Sequence, residues 1–305
     1  MQGLNSYISY FQSFSLKTRV FISGLFVIIG AFFMGNFPAS FFVRLYSKSR
    51  DWTLADFNQA LKNDPSFANV FLVVSLLAYV IGFLAIILVY RLYFKSNIKK
   101  AIRPAGKLRI GRLILPGLIW FLLSLSVDLY QYFKSPELYS FYFDASTYLP
   151  LVLIGLILIP IQISFEELLF RNYILNGVSI LAKNAWIGIL VSSIVFALMH
   201  SFNPEVTKYG FFNMMPFYFY FGLILALISY FDESLEIPLS LHFFNNLYTL
   251  LIVSMENSAL NVRPLFYQLD VDILSMRWSF MLSVTIMFIV IAIVYQFKWP
   301  LKTKW

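Results

Sequence analysis

The 305-residue chain contains no cysteine and only two histidines. Without thiols it can form no disulfide, no thiolate nucleophile and no thiolate metal site. Charge is scarce too: 12% of residues are Asp, Glu, Lys or Arg, where a soluble domain carries about 25%. No hydrophilic stretch is long enough to build a soluble domain, and neither a P-loop nor a long low-complexity tract occurs. The lack of a legible internal repeat speaks against an inverted-repeat transporter. A net charge of +8 invites a nucleic-acid reading. The positive residues, however, flank apolar segments instead of gathering on one face, so no nucleic-acid partner is expected.

What the chain has in abundance is apolar surface. It is 60% hydrophobic and 19% aromatic, with a mean hydropathy of +0.75. Crossing about 30 Å of hydrocarbon takes roughly 17 to 25 apolar residues. Such runs occur near 20–37, 69–90, 113–132, 148–170, 185–202, 211–231, 237–255 and 278–297. The first follows Lys17 and Arg19 as a signal peptide would, but Gly35-Asn36-Phe37-Pro38 replaces a small-residue cleavage site. These features predict an all-α polytopic membrane protein with about eight transmembrane helices, forming a single integral membrane domain over 1–305.

Basic loop residues set orientation. The link from Arg91 to Arg112 carries Lys95, Lys99, Lys100, Arg103, Lys107 and Arg109 and no acid, which predicts a cytoplasmic position. Alternation places Lys17, Arg19, Lys183 and the tail with Lys298, Lys302 and Lys304 on the same side, so both termini are expected in the cytoplasm. The 38–68 loop, read as external, mixes Arg44, Lys48, Arg50 and Lys62 with Asp51, Asp56 and Asp64. A plasma membrane of bacterial type is the expected location. Lipid headgroups are the expected surface partner, at about 1 kcal/mol per basic residue.

Against this apolar background a few polar residues stand out. The fourth run contains Glu166-Glu167 and, one turn on, Arg171; His200 ends the fifth; His242 lies in the seventh, followed by Asn245 and Asn246. Ionisable groups at bilayer depth are costly and tend to face a protein interior or a cavity. On a helix Glu167 and Arg171 share a face and can pair, which leaves Glu166 about 100° around and free for chemistry. His242 and Asn246 also share a face at i and i+4, and Asn245 at i+3 stays an alternative to Asn246. Glu166 and His200 lie at equal distances from the turn at Lys183, which predicts equal depth in a helical hairpin. A carboxylate, two imidazoles and an amide can activate water and stabilise an oxyanion.

The order Glu-Glu-x-x-x-Arg (166–171), Phe-x-x-x-His (196–200) and His-x-x-x-Asn (242–246) resembles the CPBP family of intramembrane proteases. That family includes the type II CAAX prenyl endopeptidases and the Abi, bacteriocin-immunity relatives. The resemblance covers about 166–246, within a core at about 148–255. It implies an intramembrane endopeptidase acting on a membrane-anchored protein or peptide. It also implies Glu166 as the water-activating base, His200 as a second hold on that water, and His242 with Asn246 facing the scissile carbonyl. Glu167 and Arg171 would be the supporting pair.

The metal question stays open at the level of sequence. Glu166, His200 and His242 could supply three zinc ligands and leave one position free. Their spacing is not the His-Glu-x-x-His of a single helix, and a glutamate mechanism without metal is the preferred expectation. Two other classes compete: a non-catalytic membrane scaffold or bacteriocin self-immunity protein, and an ion-coupled transporter.

Overall fold

The structure, a computed structural model, describes residues 8–10, 18–255 and 258–297. Lys17, Lys298, Lys302 and Lys304, used above for orientation, lie outside the described residues. The chain forms α1 (Thr18–Gly35), α2 (Phe37–Arg50), α3 (Leu54–Asn63), α4 (Pro65–Leu92), α5 (Ile98–Ile102) and α6 (Ile110–Lys134). Next come β1 (Tyr139–Phe141), α7 (Ala145–Glu167), a π-helical segment (Leu168–Ile174), α8 (Leu175–Ala182) and α9 (Ala185–Met199). The remainder is α10 (Pro204–Tyr209), α11 (Phe211–Asp232), α12 (Glu236–Leu251), β2 (Val253–Met255), β3 (Phe266–Gln268) and α13 (Ile273–Val294).

Helices occupy all eight apolar runs, and the protein is an all-α, multi-pass membrane protein. Six helical stretches are long and apolar enough to cross a bilayer: Thr18–Arg50, Pro65–Leu92, Ile110–Lys134, Ala145–Ala182, Phe211–Asp232 and Ile273–Val294. The two that carry the histidines are shorter, 15 residues for α9 and 16 for α12. At 1.5 Å per residue each reaches about 22 to 24 Å, less than the hydrocarbon thickness. The 38–68 stretch, read above as a loop, is mostly helical. Asn36 interrupts the first helix, and a reciprocal capping box between Thr53 and Asp56 starts α3.

Three short strands form a small sheet of order β1–β3–β2, with β1 antiparallel and β2 parallel to β3. The sheet caps the bundle where α6 and α12 end. An Asp128 carboxylate there accepts hydrogen bonds from the hydroxyls of Tyr139, at 3.3 Å, and Tyr248.

Two features fix α12, the helix that carries His242. A Cβ at Gly117 would overlap the Ser240 carbonyl, so α6 meets α12 backbone to backbone, and the Gly117 N–H donates to Ser240 Oγ at 2.9 Å. At the start of the same helices, Arg109 grips Asp232, with Nη2 2.6 Å from Oδ2, and also pairs with Glu236. Arg112 adds a second contact to Asp232 and lies over the Tyr295 ring. Ser234 Oγ accepts from Arg109 at 2.8 Å and donates to Asp232 at 2.5 Å.

Candidate active site

The glutamates stand where α7 changes its winding. Gln162 and Glu166 lie one turn apart on the same face of α7, and Gln162 Nε2 donates to Glu166 Oε1 at 3.2 Å. From Leu168 to Ile174 the helix widens to π geometry, and every residue of that segment is buried. Such bulges free backbone carbonyls and recur at functional sites. Here three neighbouring elements anchor it. Ser192 Oγ of α9 donates to the Phe170 carbonyl at 2.7 Å; Asn172 donates to the Ala101 carbonyl of α5 at 2.8 Å and accepts from Tyr90 of α4. Arg171 is thereby held at a fixed depth, completely buried.

Glu166, Glu167, Arg171 and His242 form one buried cluster. Arg171 Nη1 lies 3.2 Å from Glu167 Oε1, and His242 Nδ1 bonds the same oxygen at 2.7 Å. His242 Nε2 lies 3.6 Å from Glu166 Oε2, longer than a direct hydrogen bond. The two glutamates differ in their partners: Glu167 Oε1 is tied to arginine and imidazole and Glu166 Oε1 to Gln162, while Oε2 of each makes no hydrogen bond among the described residues. His242 is held through Nδ1 by Glu167, and its Nε2, beyond hydrogen-bond reach of Glu166, is the nitrogen left to turn towards a carbonyl.

His200 joins the cluster through a ring. It sits just past the last residue of α9, with φ −90° and ψ 1°, and its Nδ1 bonds the Phe196 carbonyl at 2.8 Å. Phe196 is the hub. The Arg171 guanidinium lies 4.1 Å over its ring, the His200 ring is 4.5 Å away, and the His242 ring meets it edge-on at 6.0 Å. The Phe-x-x-x-His pattern is therefore a physical unit, since the phenyl contacts both the guanidinium and the imidazole, and the histidine bonds the phenylalanine's own carbonyl.

The two asparagines separate. Asn245 Oδ1 accepts from Trp120 Nε1 on α6 at 3.2 Å, and its Nδ2 donates to Asn246 Oδ1 at 3.4 Å. Asn246 shares the α12 face of His242 and is half-buried, as His200 is, while Glu167 and Arg171 are fully enclosed. The accessible side of the cluster is thus the side of His200 and Asn246. Two apolar cavities lie elsewhere. One is bounded by Trp120, Phe221, Leu241 and Met287 and the other by Asp128, Tyr132 and Tyr139; Glu166, His200 and Asn246 line neither.

The metal alternative can be compared with this donor set. Among the described residues no group of three or more His, Asp or Glu side chains is arranged to hold a metal ion. His242 directs one nitrogen at Glu167 and the other at Glu166, and the His200 Nδ1 is used by the backbone. Each histidine thus has its Nδ1 held and, among the described residues, its Nε2 unbonded, the usual support of a ligating imidazole, but Glu166, His200 and His242 are not gathered as a ligand group, and no step below is routed through a metal.

With this geometry in view, comparison with known proteins is informative. Residues 145–248, from the first residue of α7 to Tyr248 of α12, match the family described as type II CAAX prenyl endopeptidase Rce1-like. This segment resembles that family. The match encloses Glu166, Glu167, Arg171, His200, His242 and Asn246 and supports a peptidase of the CAAX, CPBP type at family level. The chain is also 27% identical over 296 residues, 97% of both chains, to a Bacillus subtilis (strain 168) protein named uncharacterized protein YyaK. No solved structure matches.

Three contributors to the cluster escape a reading by motif. Gln162 had a signal, being a polar residue one turn before Glu166 in an otherwise apolar run. Trp120 and Tyr218, whose ring stacks on His200 at 4.4 Å, had none, because they reach the site across helices.

Proposed function

We propose that this protein is an intramembrane endopeptidase that hydrolyses a peptide bond of a membrane-anchored protein or peptide. The observation that carries the reading is the difference between the glutamates: Glu167 Oε1 is held by both Arg171 and His242, while Glu166 is held only by Gln162, with its buried Oε2 3.6 Å from His242 Nε2. That gap is too long for a direct bond and suits a shared water. Glu166 takes a proton from this water, and the oxygen attacks the carbonyl carbon. His200, with Nδ1 bound to the backbone, offers Nε2 as a second contact to the water. The developing oxyanion needs donors about 2.7–3.1 Å away. Asn246 Nδ2 supplies one such donor, and His242, held through Nδ1 by Glu167, faces the same carbonyl oxygen. Glu166 then returns its proton to the departing amide nitrogen as the C–N bond breaks. Arg171 balances the charge of Glu167 and keeps it from competing for the water.

The whole chain acts as one membrane domain, with both termini in the cytoplasm of a bacterial-type plasma membrane and the 91–112 link facing anionic headgroups. Reporters inserted near Lys100 and fused after Trp305 are expected on the same cytoplasmic side; opposite sides would refute this topology.

The test is cleavage by the purified protein in proteoliposomes loaded with a panel of single-span peptides. In ¹⁸O-labelled water, hydrolysis places one labelled oxygen in the new carboxyl group. Wild type is expected to yield labelled fragments and Glu166→Gln none. Fragments from both proteins alike would refute the role of Glu166. No fragments from either would favour a scaffold or immunity role.

A further inference from the structure

The site contains a second acidic element, on α10, that the proposed chemistry does not use. Glu205 is 5% exposed, and its Oε1 accepts from the Tyr218 hydroxyl. The same hydroxyl accepts from Asn203 Nδ2 at 3.1 Å, so both roles of the phenol oxygen are filled. Asn203 Nδ2 also reaches Glu205 Oε1 at 3.4 Å. The Tyr218 ring, fixed in this way, stacks on His200 with centroids 4.4 Å apart and planes 26° apart. The His200 ring also meets the Phe196 ring, with centroids 4.5 Å apart and planes tilted by 49°.

His200 needs such an external hold. It lies beyond the last residue of α9, outside the helical lattice that orients His242. One backbone hydrogen bond at Nδ1 leaves the ring free to rock about that contact, whereas two flanking rings fix its plane and hence the direction of Nε2. Tyr218 can do this only if its own tilt is fixed, and Glu205 and Asn203 supply that.

We infer that Glu205 and Tyr218 are positioning residues, a carboxylate–phenol strut that sets the plane of His200 and aims its Nε2 at the reacting centre. The catalytic consequence rests on the peptidase reading above; the geometric claim does not. The chain suits a direct test because it has only two imidazoles. Protein labelled with ¹⁵N-histidine in detergent gives two sets of ring signals, and His200→Gln assigns them. In wild type, cross-relaxation is expected between His200 and Tyr218 ring protons. Tyr218→Phe, which keeps the ring and removes the hydroxyl, and Glu205→Gln should each shift or broaden the His200 signals and leave those of His242 in place. The double variant should match Tyr218→Phe alone, since both changes cut the same strut.

On a cleaved peptide, each variant should lower kcat about tenfold at unchanged KM, the scale expected when a catalytic group loses alignment. Unchanged His200 signals in Tyr218→Phe, or no cross-relaxation in wild type, would overturn the inference whatever the variants do to stability. A responsive His200 in a protein that cleaves nothing would leave the strut standing and defeat the peptidase reading. Cleavage by wild type with an unresponsive His200 would do the reverse.

Discussion

Two clusters of arginine and carboxylate lie on α12 and its neighbours, and they are built differently. At the start of the helix, Arg109, Arg112, Asp232, Ser234 and Glu236 form a network with its charges bonded: Asp232 is met by two arginines and a serine, and Glu236 by the Arg109 side chain and N–H. Two turns on, Arg171, Glu167, Glu166 and His242 are at least as deeply buried, yet Glu166 Oε2, Glu167 Oε2 and the Arg171 nitrogens make no well-directed hydrogen bond. Native interiors leave few polar groups in that state, and each calls for an explanation. The contrast separates two uses of the same residue types. The first cluster joins the basic link to two helices and is complete in itself. The second holds charged groups close without letting them saturate one another, and its remaining capacity suits a water and a carbonyl group.

The comparison makes graded predictions. The largest effect is expected from Arg171→Ala, which leaves Glu167 buried without its cation. Loss of one partner of a buried ion pair costs about 3–5 kcal/mol, so thermal unfolding should shift steeply and activity should vanish. Next is Asn246→Ala. Removal of one oxyanion donor costs about 10²–10³ in kcat, and initial rates on a cleaved peptide should fall that far with little change in unfolding. Asp232→Ala probes the other cluster. Its arginine partners are 26% and 21% exposed and can rehydrate, so a stability loss of about 1–3 kcal/mol is expected. The kcat of the folded fraction should stay at the wild-type value. Smallest is Asn245→Ala, which removes the bond from Trp120. About 1 kcal/mol of stability should go, the net value of one hydrogen bond, and the rate should stay well above that of Asn246→Ala. If Asp232→Ala abolished turnover in folded protein, the division between the clusters would collapse.

The sequence made the polar half of this site legible because the surroundings are so apolar. Six residues on three segments stand out, and equal distances from Lys183 lead to the expectation of one depth for two of them. Other features left no such trace. The π-helical turn at 168–174 depends on Ser192, Tyr90 and Ala101 reaching it from other helices, and no local pattern records that. The three-residue strands are too short for an alternation to show. Asn245 and Asn246 share a face with His242 by spacing alone, and only Trp120, 125 positions away in the chain, distinguishes them. Helices α3 and α4 did have a signal: Thr53 with Asp56 three residues on is a capping box, and Pro65 opens the next helix.

The central claim is that the Glu166 carboxylate carries the chemistry while the fold is indifferent to its charge. Its most direct test measures peptide turnover and thermal unfolding on one preparation of Glu166→Gln. The account predicts a loss of about 10²–10⁴ in kcat, the usual contribution of a general base, with Tm within about 2–4 °C of wild type, the shift expected for 1 kcal/mol. Turnover near the wild-type rate, or a loss of turnover that merely follows a fall in Tm as deep as that of Arg171→Ala, would contradict it.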